Sequence, residues 1–467
     1  MEFTVFTLGF IVSALITTAL TIKARGGGGS ASSIAYSSEQ KTFQRTFLAV
    51  YYLAMTADWL QGPYVYALYS SYGFSKHDIA VLFVGGFGAS MIFGTFVGAA
   101  ADKLGRKRAC LLYCALYIAS CVTKHGKDYW VLMLGRLLGG VATSLLFSAF
   151  ESWMVCEHNA RGYDGASLSD TFSLMYFGNS LCAILAGMVA EAAADAKKLT
   201  QLAGIWHYGG YCSPFDLSAL CLVVCAAMIT RRWSENYGST TLKDAGCANL
   251  DAPLKQMRQS PSILMIGLVV SLFEGSMYIF VFNWTPALSA SMSTTPPFGF
   301  IFATFMVACM GGSSYFSTAV GATPPEKLLR NVFFFSSFAL ALPLLSNATS
   351  TLLVSFLLFE AAVGVYWPSI GTVKSQVVPE ASRATIYNLF RVPLNAIVLG
   401  VLLNDMSVNT AFMATAVMLL IAGVAQISLI KRMAAGAQHS PIARDERDAS
   451  LVGDEERSAL TPGTADY

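Results

Sequence analysis

Apolar residues run along this chain in long stretches separated by polar breaks. A helix needs about 20 mainly apolar residues to cross the hydrocarbon core of a bilayer. By that length the pattern predicts thirteen membrane-spanning helices, at residues 3–22, 46–69, 78–101, 109–123, 129–155, 169–192, 213–230, 262–287, 298–319, 328–346, 350–373, 384–404 and 409–430. A polar stretch that opens on Arg231-Arg232 and contains Pro253 and Pro261 divides the last twelve into six and six. The expected organisation is an additional N-terminal transmembrane helix (1–22), a Gly/Ser-rich cytoplasmic tether (23–45), an N-terminal six-helix bundle (46–230), a cytoplasmic inter-bundle loop (231–261), a C-terminal six-helix bundle (262–430) and a disordered cytoplasmic tail (431–467).

Composition agrees with this reading. Of the 467 residues 55% are hydrophobic and 12% charged, against about 25% charged in a soluble domain, so the chain cannot cover its apolar surface with polar groups. The expected class is an all-α, multi-pass membrane protein with lipid as its surroundings, the plasma membrane being the expected home. The net charge of +2 hides short basic loops, not a continuous patch, and gives no reason to expect nucleic acid. The ten cysteines are scattered among apolar runs without C-x-x-C spacing and read as packing residues; no metal, cofactor or enzymatic nucleophile is indicated.

Orientation follows from the cations, which concentrate in cytoplasmic loops. If the loop at 102–108 is cytoplasmic, strict alternation puts 20 of the 30 Lys and Arg residues on that side and five on the other. Lys23 and Arg25 follow the first apolar run, whereas a cleaved signal peptide carries its charge before it. A retained helix is therefore expected, with the signal peptide as the alternative.

Ionisable residues at membrane depth are costly, by at least about 2.5 kcal/mol, and normally face a cavity or a partner. Six stand out: Asp58, Arg136, Glu151, Glu274, Glu360 and Arg391. Arg136, Gly140, Ser144, Phe147 and Glu151 recur at helical spacing, as do Asn388, Arg391 and Asn395, and these stripes predict a polar central cavity. A structural alternative makes the charges ion pairs between helices, for instance Glu360 with Arg391.

The segment Gly98-Ala-Ala-Ala-Asp102-Lys-Leu-Gly105-Arg106-Lys107-Arg108 resembles G-x-x-x-D-x-x-G-R-[KR]-[KR], the signature loop of the major facilitator superfamily. Gly135-Arg136-Leu137-Leu138-Gly139-Gly140 resembles the R-x-x-x-G element of the family's fourth helix. The strings Ala57–Tyr64, Leu146–Trp153 and Asn388–Pro393 are similar to the molybdate-anion transporter branch. The second-half counterpart of the signature loop, Gly321–Arg330, lacks the G-R-[KR] core.

The resemblance implies two six-helix bundles in the major facilitator fold and alternating-access transport. It implies molybdate as cargo, with Arg136 and Arg391 as its binders and Asn388, Asn395 and Ser144 as further donors. It also implies a conformational latch at Gly98, Asp102, Gly105, Arg106, Lys107 and Arg108. The four acids outnumber the two arginines, and a dianion adds further negative charge. Protonation of Asp58, Glu274 or Glu360 would relieve that repulsion, which points to proton symport. Other readings are a carrier of a sulfate-like anion or small organic solute, and a non-transporting membrane sensor or scaffold.

Overall fold

A computed structural model describes residues 2–27, 37–237, 251–379, 383–404 and 406–438. Its helices are α1 (Glu2–Gly27), α2 (Ser38–Gln61), α3 (Val65–Ser71), α4 (Lys76–Leu104), α5 (Arg106–Thr123), α6 (Tyr129–Ala160), α7 (Gly165–Asp195), α8 (Ser213–Arg232), α9 (Asp251–Gln259), α10 (Pro261–Ser291), α11 (Phe298–Ala319), α12 (Pro325–Ala341), α13 (Thr349–Val377), α14 (Arg383–Leu402) and α15 (Val408–Gln438). α2 and α3 form one rod broken at Gly62-Pro63-Tyr64 by a turn of 3₁₀ helix. Counting that rod once and setting aside the short α9, one rod precedes two sets of six. This is the major facilitator fold with an additional N-terminal helix.

Local chemistry sets the helix ends. Ser75 and Asp78 form a capping box at the start of α4. Asp128 caps α6 through the amides of Trp130 and Val131, both at 3.0 Å. Between α4 and α5 the chain turns on Gly105, whose φ of 106° strongly favours glycine.

Among the described residues, ten helices are long and apolar enough to cross a membrane. Three expected spans, α2, α5 and α14, fall short of that measure. They stand beside helices that meet it, and bundle contacts supply the shelter that composition does not. The expected tail also needs revision, because α15 continues from residue 431 to Gln438; the rest of that segment lies outside the described residues. A hairpin of β1 (Thr200–Ala203) and β2 (Trp206–Tyr208) between α7 and α8 was not foreseen.

Close helix crossings rest on small residues. A Cβ at Gly140 of α6 would strike the carbonyl of Gly86 on α4, and one at Gly364 of α13 would strike the carbonyl of Cys309 on α11. α1 packs on the second bundle: Thr17 donates to the carbonyl of Val307 at 2.9 Å, Thr21 pairs with Ser314 at 2.9 Å, and Phe10 meets Phe300 with centroids 5.3 Å apart. Leu8, Leu15 and Ile22 on its other side are exposed, as lipid-facing residues are.

The described aromatic contacts across the seam between bundles gather at mid-depth and at the end opposite the 102–108 loop. Phe282 of α10 takes the rings of Tyr66 and Phe83 at 5.3 and 5.5 Å, and Tyr278 takes Phe87 at 4.7 Å. Lys76 donates across the same end to the carbonyl of Met406 at 2.7 Å.

Candidate functional site

One face of α4 descends along the seam through Phe83, Phe87, Met91 and Gly94, at spacings of four, four and three residues. The first two meet rings of α10, and the last two meet polar groups of α14. Asn395 points its amide Nδ2 at Met91 Sδ, 3.1 Å away, and donates to the carbonyl of Arg391 at 2.7 Å.

Beside Gly94 polar groups of the two bundles come close to one another. A Cβ there would lie 3.2 Å from Oγ of Ser144 on α6 and 3.6 Å from Nη1 of Arg391 on α14. Ser144 also donates to the carbonyl of Ser90 at 3.0 Å, with the Ser90 hydroxyl 3.1 Å away. Arg391 is exposed, as are Val392 and Pro393 after it. Pro393, two residues on, lacks the amide that would bond the carbonyl of Leu389 and so leaves that acceptor open. The side chain of Asn388 lies outside the described residues.

Glu274 of α10 accepts from the Tyr366 hydroxyl at 2.9 Å. Its charged neighbours are Lys374 and Arg391. Lys374, one residue past the expected span 350–373, belongs to the last turn of α13, with Nζ 4.8 Å from the ring centre of Tyr387. A signal for it was present: Tyr366, Ile370 and Lys374 fall at i, i+4 and i+8 on one helix face.

The remaining candidates are dispersed. Arg136 donates from Nε to the carbonyl of Leu82 at 3.2 Å and lies 4.6 Å from the ring centre of Phe83, next to Gly86. Gly86 and Gly94 are eight residues apart on α4, about 12 Å along the axis, so the two arginines do not flank a single small ion in this conformation. Asp58 accepts from the Tyr117 hydroxyl at 2.5 Å within the first bundle. Glu151 is exposed, with no hydrogen bond or ion pair among the described residues. Glu360 is buried with Cys309 as an electrostatic neighbour, and no ion pair joins it to Arg391 among the described residues.

The signature loop grips the chain's own exit from the first bundle. The carboxylate of Glu235 accepts from the amides of Lys107 at 2.8 Å and Arg108 at 3.3 Å, supplying the first turn of α5 with the acceptor that Gly105 lacks. Arg106 donates to the carbonyl of Ser152 at 3.1 Å, and Lys107 Nζ to that of Thr230 at 3.2 Å. Trp153 and Trp233 stack below, 3.7 Å apart. The side chain of Asp102 lies outside the described residues, as does the surface around Gly98. Glu235 escaped notice in the sequence because only the fold brings it to the loop.

Two six-helix bundles whose seam is packed with aromatic rings at one end and carries polar side chains farther along are the architecture of a membrane transporter. Comparison with known proteins narrows the class. Residues 5–356 match a family model described as sugar transporters with twelve transmembrane segments. A molybdate-anion transporter of Xenopus tropicalis is 37% identical over 76% of this chain and 77% of its own length; one of Xenopus laevis is 36% identical over 83% and 86%. A bacterial homologue of the human lysosomal transporter Spinster, solved in an inward-facing and occupied conformation, shares the fold with a TM-score of 0.66 at 12% identity, over 85% of this chain and 98% of that one. The chain belongs to the major facilitator superfamily, in the branch that holds these molybdate-anion transporters.

Proposed function

We propose that this protein carries a tetrahedral oxyanion, molybdate in the first instance, across the plasma membrane by alternating access and together with protons. The observation that carries the reading is the meeting of Arg391 Nη1 and Ser144 Oγ beside Gly94, one from each bundle. A guanidinium presents paired donors that match two oxygens of an oxyanion, and hydroxyl groups satisfy others. An ion held there touches both bundles at once, so its binding energy depends on how they are arranged. That is the requirement for a ligand to bias rocking of one bundle against the other. The relatives' name supplies the identity of the anion.

With the basic loops cytoplasmic, the packed end of the seam is outward and the conformation is inward-facing. Among the acids, Glu274 has the strongest claim as proton carrier, because Arg391 and Lys374 are its charged neighbours. An anion arriving at Arg391 competes with Glu274 for the same cation, and a proton on the carboxylate removes the competition. Arg136 then has a different part, bracing α4 against α6 until the bundles rearrange.

The test is uptake of labelled molybdate into liposomes holding the purified protein. An inward-directed proton gradient should accelerate uptake; indifference to the gradient would remove the coupling. Arg391→Lys keeps the charge but loses the fork, and should weaken apparent affinity at least about tenfold. Wild-type affinity in that variant would exclude direct chelation, and competition with sulfate reports how selective the site is.

A further inference from the structure

A carboxylate outside the central site also joins the two bundles. Glu191 of α7 accepts from the Tyr64 hydroxyl of its own bundle at 2.7 Å and from two amides of the other bundle, Gly299 at 2.6 Å and Phe300 at 3.3 Å. Those amides open α11. The residue at that helix's N-cap is Pro297, which offers no side-chain acceptor. The first turn of a helix leaves its amides without internal partners and carries partial positive charge. Glu191 therefore supplies, across the seam, the cap that the sequence of α11 omits.

The crossing beneath it is built for close approach. A Cβ at Gly187, one turn before Glu191, would fall 2.7 Å from the carbonyl of Gly299 and 2.9 Å from the amide of Ala303. Beside the carboxylate is a cavity of about 240 Å³ lined by Tyr64, Glu191, Asp195, Tyr211 and Phe298 among others. Water there can take over the bonds when the helices part, so the link is separable.

We propose that Glu191 is a positioning residue of the transport cycle: the cap it places on α11 holds the outer end of the seam shut, and opening to the outside requires its release. This rests on the alternating-access reading. Separating α7 from α11 at this level breaks the two hydrogen bonds that backbone amides donate to the carboxylate and leaves a helix start uncapped, so the link favours the arrangement described here over an outward-open one. A neutral amide in place of the carboxylate loses the charge that the helix start favours.

The experiment measures distances between nitroxide labels on the two bundles, by pulsed electron resonance, in the full-length protein in lipid nanodiscs. Labels go on at Trp130 and Leu345, both exposed near the outer end, through a non-canonical ketone residue that leaves the native cysteines alone. Glu191→Gln should raise the population with a longer outer distance about tenfold, the worth of one charge-assisted hydrogen bond. Gly299→Ala, which keeps the carboxylate but crowds the crossing, should shift it the same way. Tyr64→Phe removes only the bond within the first bundle and should shift it less than Glu191→Gln. An outer distance in Glu191→Gln that matches wild type, in protein that melts as wild type does, overturns the proposal. If wild type itself shows a single unchanging distance with and without molybdate and a proton gradient, alternating access fails and this inference with it. A wild type that moves beside a Glu191→Gln that does not differ from it sinks the Glu191 role alone.

Discussion

At the residue scale the central site depends on what Gly94 lacks. Its missing side chain leaves room where Arg391 and Ser144 face each other. A methyl group there is tight against the serine hydroxyl, and two further methyls fill the space an anion needs. Gly94→Ala should therefore retain part of the uptake, whereas Gly94→Val should lower it by more than about tenfold, since a β-branched side chain in a helix has little rotamer freedom to move aside. Because Gly94 is only half-buried, the melting temperature should change little in either variant. Equal uptake by Gly94→Val and wild type would show that the ion sits elsewhere.

At the element scale the β-hairpin is fastened by a group that titrates. His125, in the loop after α5, places Nε2 2.9 Å from Oδ1 of Asp216 and Nδ1 2.9 Å from the carbonyl of His207 in β2. The bond to Asp216 is the main reason the imidazole is held above its ordinary value, and the His207 carbonyl adds to it against the opposing effect of burial. A raised folded-state value means that the charged imidazole stabilises the attachment. That contribution is complete below the ordinary histidine value and is lost as pH rises through the folded-state value. Amide hydrogen exchange in residues 200–208, corrected for its intrinsic pH dependence, should speed up across that interval. Asp216→Asn should flatten the response, and a pH response unchanged in that variant would place the cause in another group.

At the scale of the whole molecule, the architecture was legible in the sequence because span length and loop charge are properties of consecutive residues. The pattern found the rods, the break between bundles and the signature loop. It also picked out Arg391 and Ser144, which the fold brings together. Rotation of each helix about its axis is harder to read, since several faces of a buried helix are apolar. For that reason Arg136 was expected beside Arg391 and lies about two turns away, whereas Lys374, counted with the cytoplasmic loops and flanks, is a charged neighbour of Glu274. Glu191 and Glu235 escaped for a different reason. Each acts on the backbone of a helix start distant in sequence, and a cap supplied in trans leaves no local signature beyond the absence of a Ser, Thr, Asp or Asn cap at Pro297 and Gly105.

The docking of α1 on α11 has a mechanical consequence. That helix is fastened to the second bundle, whereas α2, the next described helix, packs within the first. A polypeptide anchored in both halves must absorb, between its anchors, any displacement of one against the other. Thr17→Val, which keeps the shape of the side chain but removes the donor to Val307, should loosen that anchor and speed amide exchange in α1. Exchange as slow as in wild type would mean that apolar packing alone fastens the helix.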